Sequence, residues 1–273
     1  MVVAARRLLG AQRDMIRNRF DAILLTAVGV STTLMLMLIL VQGAYTGAKA
    51  PLRALTEHDV QHAIYLSFIT SGLASVAAIL LAIPTGLALA RIQFPGRWLV
   101  ESLLIVPIVM SPISLGVALL LIFRTEAGTW IEDHLIRFVF EVPGIILAEF
   151  FLAYAISVLV VRSTFSAVDA RLEQVARFLG CTPWQAFRHV SLPLARNGII
   201  AAFVLGWVRA MGDFGASSTI AGAVKGKTET MPVSIYLNLA SVSLDRAIAL
   251  SLVLTFVTVV VVIMVGLLMR RSS

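Results

Sequence analysis

The feature that most constrains this chain is a series of long apolar stretches separated by short charged segments. Four stretches contain no Asp, Glu, Lys or Arg: residues 22–41, 63–90, 102–123 and 247–269. Two more are interrupted by charge, residues 142–161 by Glu149 and residues 198–224 by Arg209 and Asp213. Because about 20 apolar helical residues cross a bilayer core, the sequence predicts an all-α polytopic membrane protein with six transmembrane helices.

The composition argues against a soluble globular protein. Charged residues make up only 14% of the chain and hydrophobic residues 59%, whereas about a quarter of the residues in a soluble domain are charged. The formal charge of +7 would suit a nucleic-acid partner, but the positions of the charges give another explanation. Cys181 is the one cysteine in the sequence, so an internal disulfide is excluded.

The positions of Lys and Arg predict which way the spans run. With the N-terminus inside, fourteen of the 22 fall in cytoplasmic segments and seven in outer loops. Such an excess marks the cytoplasmic side of a membrane protein, so both termini are predicted to be cytoplasmic and nucleic acid is not expected as a partner. Residues 1–60 then comprise a basic N-terminus, the first span and an outer loop, and residues 61–270 form a five-helix core.

The largest cytoplasmic segment, residues 162–197, is predicted to form a helical hairpin. Asp169 suits the N-cap of a first helix, and Gly180 interrupts it. Thr182 and Pro183 suit the start of a second helix, and Pro193 is expected to end it.

Apolar residues in this segment are spaced to line one face of the hairpin: Phe178, Leu179, Trp184, Phe187 and Val190. The segment is either an ordinary solvated connector or a docking surface. An apolar patch outside the membrane favours docking, to a partner protein or to the membrane interface.

The same hairpin resembles the EAA loop of ABC importer permeases. The resemblance rests on Leu-Glu-Gln-Val-Ala-Arg-Phe-Leu-Gly at residues 172–180, on Phe187, on Val-Ser-Leu-Pro at 190–193 and on Asn-Gly-Ile at 197–199. In that family the loop's short helix docks into a groove of a cytoplasmic ATPase and transmits its closure to the spans. The coupling residues implied by the resemblance are Glu173, Gln174, Ala176, Gly180, Thr182, Pro183, Trp184, Phe187 and Pro193.

One departure from the family pattern concerns the name-giving residues of the loop. Gln174 and Val175 stand where the Glu and the first Ala usually occur. The carboxylate that could form a salt bridge from that position is therefore missing.

A second stretch resembles the molybdate, tungstate and sulfate permeases within this family. Val-Arg-Ala-Met-Gly-Asp-Phe-Gly-Ala at residues 208–216 is similar to their Arg-Ala-x-Gly-Glu-Phe-Gly-Ala run, and Lys-Thr-Glu-Thr-Met-Pro at 227–232 continues the similarity. The resemblance implies a type I ABC importer permease in a bacterial or archaeal cytoplasmic (inner) membrane. It also implies a homodimer of permeases, two ATPase subunits and an extracytoplasmic binding protein.

The implied function is ATP-driven import of an oxyanion, namely molybdate or tungstate, with sulfate as a further possibility. A permease of the same type for another small solute remains open, as does a stand-alone secondary transporter. The chain is not expected to be an enzyme or to hold a metal or cofactor, since ATP would be bound by a partner subunit. Residues 222–228 lack P-loop spacing, because three rather than four residues separate Gly222 and Gly226.

Three ionisable residues are predicted to lie inside the membrane, where such groups are costly and usually face a partner or a cavity. A helical rise of about 1.5 Å per residue brings Glu149, Arg209 and Asp213 together in the outer half of the membrane. They form either a buried ion pair or triad that fixes the fifth span, or the wall and gate of a translocation pathway. Phe214 and Gly215 would also belong to that gate.

Hydroxyl and helix-weakening residues at the same depth allow two interpretations each. Ser217 and the two hydroxyl residues after it either offer donors to the pathway or bond back to their own helix. The glycines at 212, 215 and 222, together with Pro107 and Pro112 of the third span, either form close packing contacts or make a flexible gate.

Overall fold

The computed structural model describes residues 2–46 and 55–271, and these fold as helices without a strand. The first helices are α1 Val2–Thr46, α2 His58–Arg91, α3 Arg97–Val109, α4 Pro112–Phe123, α5 Glu126–His134 and α6 Val142–Ala167. They are followed by α7 Ala170–Phe178, α8 Pro183–Ala186, a π-helical turn Phe187–Ser191, α9 Leu192–Met211, α10 Gly215–Ala221, α11 Met231–Ala240 and α12 Leu244–Arg271. The predicted all-α fold class is confirmed.

Five helical stretches are long and apolar enough to cross a membrane, and a bent pair of helices adds a sixth. The five are Asp21–Ala44 in α1, all of α2, all of α6, Pro183–Met211 and Leu244–Leu267 in α12. Their number matches the six predicted spans, although the stretch Pro183–Met211 begins and ends earlier in the chain than the predicted fifth span, 198–224. Part of the predicted outer connection at 42–61, residues 47–54, lies outside the described residues.

The third span is broken at Pro112, one of the two prolines predicted to weaken it. α3 and α4 meet at an angle of 111°. Between them Met110 and Ser111 have non-helical backbone, with ψ angles of 144° and 136°. The cause is Pro112, because a proline disfavours helical backbone at the residue before it.

Helices α2, α6 and α9 form the centre of the bundle. Ala78, Ala153 and Ala210 are fully buried against one another, and Gly206 of α9 lies against Ser157 of α6. Small side chains allow helix backbones to approach closely in a membrane. Around this centre α4 and α10 pack beside α6, and α1 packs on α12.

The bundle has two distinct ends. We call the end that carries the α7–α8 hairpin the hairpin end, and the opposite end, with residues 124–141 and 222–230, the loop end. Helix α2 runs from one to the other. Near its start Asp59 pairs with Lys225 at the loop end, and its last residue, Arg91, pairs with Glu173 in the hairpin.

The hairpin continues into α9 without a break, although Pro193 was expected to end its second helix. The Leu192 N–H bonds to the Phe187 carbonyl, five residues back, so the π-helical turn shifts the bonding register by one residue. Pro193 is the second residue of α9, and the π-helical turn before it accommodates the proline, which has no N–H to bond to the preceding turn. The predicted helix end at Pro193 is therefore wrong.

The predicted fifth span up to residue 224 is split into two helices. α9 ends at Met211, and α10 begins at Gly215 after three non-helical residues. The chain then enters the bundle a second time. This is shown by Met231, whose N–H bonds to the buried Ser67 Oγ of α2 at 2.8 Å. Ser67 lies about 12 Å further along α2 than Asp59.

Helix α11 returns from this depth to the loop end. There Arg246, near the start of α12, pairs with Glu57 at the N-cap of α2. Residues 225–243 are therefore a re-entrant segment, a feature not predicted from the sequence.

Candidate functional site

Local capping residues build the α7–α8 hairpin. The Asp169 carboxylate accepts a hydrogen bond from the Arg171 N–H at 2.9 Å at the start of α7. Gly180, with a φ of +96°, turns the chain in a conformation that favours glycine. Thr182 and Gln185 form a reciprocal capping box at the start of α8. The predicted order of helix, turn and helix is confirmed.

The apolar residues of the hairpin divide into an exposed and a covered group. Phe178, Leu179 and Trp184, which we call the tip patch, are 90%, 81% and 66% exposed. Phe187 is half-buried and packs on Phe165 of α6. Its ring also contacts Trp184, with centroids 5.4 Å apart, so the predicted apolar face continues from the tip patch to Phe187, where it is partly covered by α6.

The remaining hairpin residues of the predicted set lie around the tip patch. Gln174, Cys181 and Pro183 line an open groove beside it. Ala176 is half-buried, and Pro193 is exposed at the start of α9.

Glu173 faces the membrane helices rather than the tip patch. Its Oε1 accepts hydrogen bonds from Nε and Nη2 of Arg91 at 3.0 and 2.8 Å. The same Nη2 donates to the Val168 carbonyl at 3.0 Å. One arginine at the end of α2 thus holds both α7 and the segment that joins it to α6.

Two acids are buried in the centre of the bundle. Glu149 is 1% exposed, and its Oε1 accepts a hydrogen bond from the Thr70 hydroxyl of α2 at 3.2 Å. Asp213 is 2% exposed, and its Oδ2 accepts from the Ser217 N–H at 2.8 Å. The other oxygens, Glu149 Oε2 and Asp213 Oδ1, are buried without a hydrogen-bond partner in the described part of the chain.

Arg209 pairs loosely with one of these acids. Its Nη1 lies 4.0 Å from Asp213 Oδ1, and its side chain is 33% exposed. That distance exceeds a hydrogen bond. Within residues 55–271 no ion pair joins Arg209 to Glu149, so the predicted triad is an Arg209–Asp213 pair with Glu149 held by Thr70. Glu149 and Asp213 remain close enough for their charges to interact.

The residues after Asp213 connect the helix break to its neighbours. The ring of Phe214 packs on Tyr236 of α11 with centroids 4.7 Å apart. A Cβ on Gly215 would lie 2.8 Å from the Cβ of Pro112, so this glycine is a close packing contact with α4. The Ser217 hydroxyl donates to the Asp213 carbonyl at 3.3 Å, which is bonding back to its own segment.

Two groups in these sites were not predicted from the sequence. The first is a buried polar stripe on α2, formed by Ser67, Thr70, Ser71 and Ser75. The sequence pattern that could have predicted this stripe is a set of hydroxyl residues three and four apart inside an uncharged span, because that spacing places them on one face of a helix. The second is Arg91, since an arginine at the end of a span is usually interpreted as a marker of orientation.

Two exposed ion pairs join the loop-end segment 222–230 to neighbouring helices. Lys225 Nζ lies 2.7 Å from Asp59 Oδ2 of α2, and the hydrogen bond that Lys225 donates to this carboxylate raises the pKa of Lys225. Lys227 pairs with Glu141 at the start of α6. Exposed pairs of this kind stabilise little individually, but together they fix where the re-entrant segment enters.

Comparison with known proteins shows similarity to permeases. Of the relatives, the molybdenum transport system permease protein ModB of Mycobacterium tuberculosis is 36% identical over 78% of this chain and 81% of its own length. The sulfate transport system permease protein CysW of Escherichia coli is 31% identical over 73% of this chain and 69% of its own. The probable transport system permease protein NifC of Clostridium pasteurianum is 28% identical over 84% and 81%.

Solved structures share the fold. A bacterial ABC transporter involved in the import of the acidic polysaccharide alginate superposes with a TM-score of 0.66 at 18% identity, over 91% of this chain and 95% of that one. A further alginate transporter structure, in complex with an alginate pentasaccharide-bound periplasmic protein, gives a TM-score of 0.65 at 16% identity over 91% and 94%. Residues 78–273 match the family model described as binding-protein-dependent transport system inner membrane component. The chain belongs to this family of ABC importer permeases, which are membrane transport proteins rather than catalytic enzymes.

Proposed function

We propose that this chain is the membrane-spanning subunit of an ATP-driven importer of an oxyanion, namely molybdate or tungstate, with sulfate as the alternative substrate. It works as a homodimer with two ATPase subunits that bind and hydrolyse ATP, and an extracytoplasmic binding protein delivers the substrate. The observation that carries the proposal is the α7–α8 hairpin, whose exposed tip patch is joined by one continuous helix, Pro183–Met211, to the membrane-embedded charged residues.

The tip patch supplies the docking surface for the ATPase. Three large apolar side chains are exposed together at the end of a capped hairpin, and an exposed apolar cluster outside the membrane indicates a protein partner. The groove lined by Gln174, Cys181 and Pro183 adjoins it. The hairpin end therefore faces the cytoplasm, and the loop end faces the binding protein.

The pathway runs past the break between α9 and α10. A guanidinium stays charged and offers paired N–H donors to an oxyanion, and Arg209 is the half-exposed arginine at this break. Its 4.0 Å separation from Asp213 leaves the pair loose enough to exchange partners. A tightly bound anion would not be released from the site. An arginine whose charge is partly neutralised therefore suits a translocation pathway better than a high-affinity binding site. Phe214, whose ring packs on Tyr236, lies at the break and serves as the gate.

Support for an oxyanion comes from the ModB and CysW relatives, which are named for molybdenum and sulfate transport. Molybdate, tungstate and sulfate are all tetrahedral dianions, so the same pathway chemistry suits each. Discrimination among them then rests mainly with the binding protein. The principal alternative is a permease of the same type for another small solute.

The test is transport by the assembled complex in proteoliposomes. The chain is reconstituted with its cognate ATPase and binding protein, and uptake of molybdate, tungstate and sulfate is measured with and without ATP on the ATPase side. We expect uptake of at least one oxyanion that requires both ATP and the binding protein. Uptake without the ATPase would indicate a secondary transporter. An assembled complex with active ATPase that imports none of the three would show that the solute belongs to another class.

A further inference from the structure

Helix α7 depends on few contacts for its position. None of its residues is buried, and the non-helical pair Val168–Asp169 separates it from α6. A short exposed helix joined through such a break could tilt independently of the bundle. Its side-chain anchorage to the membrane helices is therefore what decides whether a movement of α7 reaches them.

Arg91 provides that anchorage. Nε and Nη2 both donate to Glu173 Oε1, and Nη2 also donates to the Val168 carbonyl, all within 3.0 Å. The two side chains are 18% and 22% exposed, so water competes for them only in part. Hydrogen bonds between charged groups are stronger than neutral ones, and the guanidinium fork fixes their direction.

The helix that ends at Arg91 leads directly to the interior sites. About 32 Å from Arg91 along α2, the Thr70 hydroxyl bonds to Glu149. One turn further the Ser67 hydroxyl holds Met231 at the start of α11. A displacement of the hairpin end of α2 would thus reach both the buried acid and the re-entrant segment.

The hairpin consequently has two connections to the membrane-embedded part. The α8 arm is covalent and continuous, since it runs through the π-helical turn into α9 and ends beside Asp213. The α7 arm is joined to α6 by the two-residue non-helical link Val168–Asp169, and its contact with α2 is non-covalent and passes through the side chain of Arg91. Substitutions can therefore interrupt the second arm without disturbing the first.

We propose that the Arg91–Glu173 pair is a transmission contact, through which movement of α7 is passed to α2 during each ATP cycle. Arg91 and Glu173 are positioning residues in this scheme. The inference rests on the proposed function, because it requires an ATPase that moves the hairpin. Without the pair, the ATPase still docks on the tip patch and hydrolyses ATP, but a smaller share of its turnovers moves substrate.

The test measures the number of ATP molecules hydrolysed per anion imported by the reconstituted complex, for the wild type, Arg91→Gln and Glu173→Gln. The probe is molybdate, tungstate or sulfate, whichever the wild type imports. Glu173→Gln is nearly isosteric, so it separates loss of the ion pair from misfolding. We expect the ratio to rise roughly fivefold or more, the lower bound of typical coupling between two sites, with the ATPase subunit still co-purifying. The double variant Arg91→Glu with Glu173→Arg should restore part of the coupling.

The matched control is Arg97→Gln. Arg97 lies at the same end of the bundle, but its bond to Glu101 at 2.6 Å is made within α3, so its loss should leave the ratio unchanged. An unchanged ratio in both Arg91→Gln and Glu173→Gln would overturn the proposal. Parallel loss of ATPase binding would also overturn it, since the pair would then serve docking alone. A wild type that shows no ATP-driven uptake would instead refute the proposed function itself.

Discussion

At the scale of single residues, the balance of charge at the membrane-embedded site depends on one arginine. Of the two buried acids, Asp213 lies 4.0 Å from Arg209, and Glu149 is close enough to Asp213 for their charges to interact. Each acid has one oxygen held by a hydroxyl or an N–H and one oxygen without a partner in the described residues. If the proposed pathway runs past this site, removing the guanidinium leaves only acidic groups there to meet an anionic substrate.

We therefore expect Arg209→Gln to lower the initial rate of oxyanion uptake by about tenfold or more. A hydrogen bond to a charged group contributes roughly 1.5–3 kcal/mol, and about 1.4 kcal/mol corresponds to a factor of ten in rate. The assay is ATP-driven uptake in proteoliposomes, with co-purification of the ATPase to verify assembly. Arg137→Gln, which changes an exposed loop-end arginine, should retain normal uptake. Normal uptake in Arg209→Gln would leave the Arg209–Asp213 pair with a structural role only.

Residue-level predictions succeeded where the physical cause lies within a few residues. Caps and turns are local, so Asp169, Gly180 and Thr182 were assigned correctly from the sequence. The partners of Glu149 and Arg91 are 79 and 82 positions away. No local spacing predicts contacts at that separation, because they depend on which helices pack together.

At the scale of elements, two prolines with similar sequence surroundings have opposite effects. Pro112 accompanies a bend of 111° between α3 and α4, whereas the helix continues past Pro193. α3 packs on α6 but buries none of its residues fully, so less packing opposes a break there. α9 buries several against α6, and a π-helical turn absorbs the proline instead. Tertiary packing decides between these outcomes, and the sequence alone does not show it.

Close helix packing gives a prediction at the same scale. A Cβ on Gly86 would lie 2.7 Å from Val161 Cγ1 and 2.9 Å from the Arg162 nitrogen, whereas Gly72 on the same helix has nothing within 4 Å. Gly86→Ala should lower the thermal midpoint in detergent, since overpacking costs about 1–3 kcal/mol. Gly72→Ala should leave it unchanged or raise it, because alanine favours helix by about 1 kcal/mol. Equal shifts in the two variants would contradict the tight α2–α6 contact.

At the scale of the whole molecule, the two ends of the bundle differ in chemistry. The hairpin end exposes the apolar tip patch, while the loop end is held by ion pairs around a re-entrant segment. The number of spans was predictable because apolar length is a property of each stretch alone. The re-entrant segment was not, because Met231–Ala240 is a short apolar helix whose depth is set by the Ser67 contact. The division of the chain at residue 60 stays a prediction.

The orientation of these ends is testable with the protein's own cysteine. Cys181 is the one cysteine in the sequence and lines the groove beside the tip patch. A membrane-impermeant maleimide should label it in inside-out vesicles but not in intact cells, because the hairpin end is proposed to be cytoplasmic. The variant Ala223→Cys in a Cys181→Ala background places the thiol at the exposed loop end and should give the reverse pattern. Bound ATPase should also protect Cys181 from the label. Labelling of Cys181 in intact cells would invert the topology, and equal labelling with the ATPase bound would place docking elsewhere.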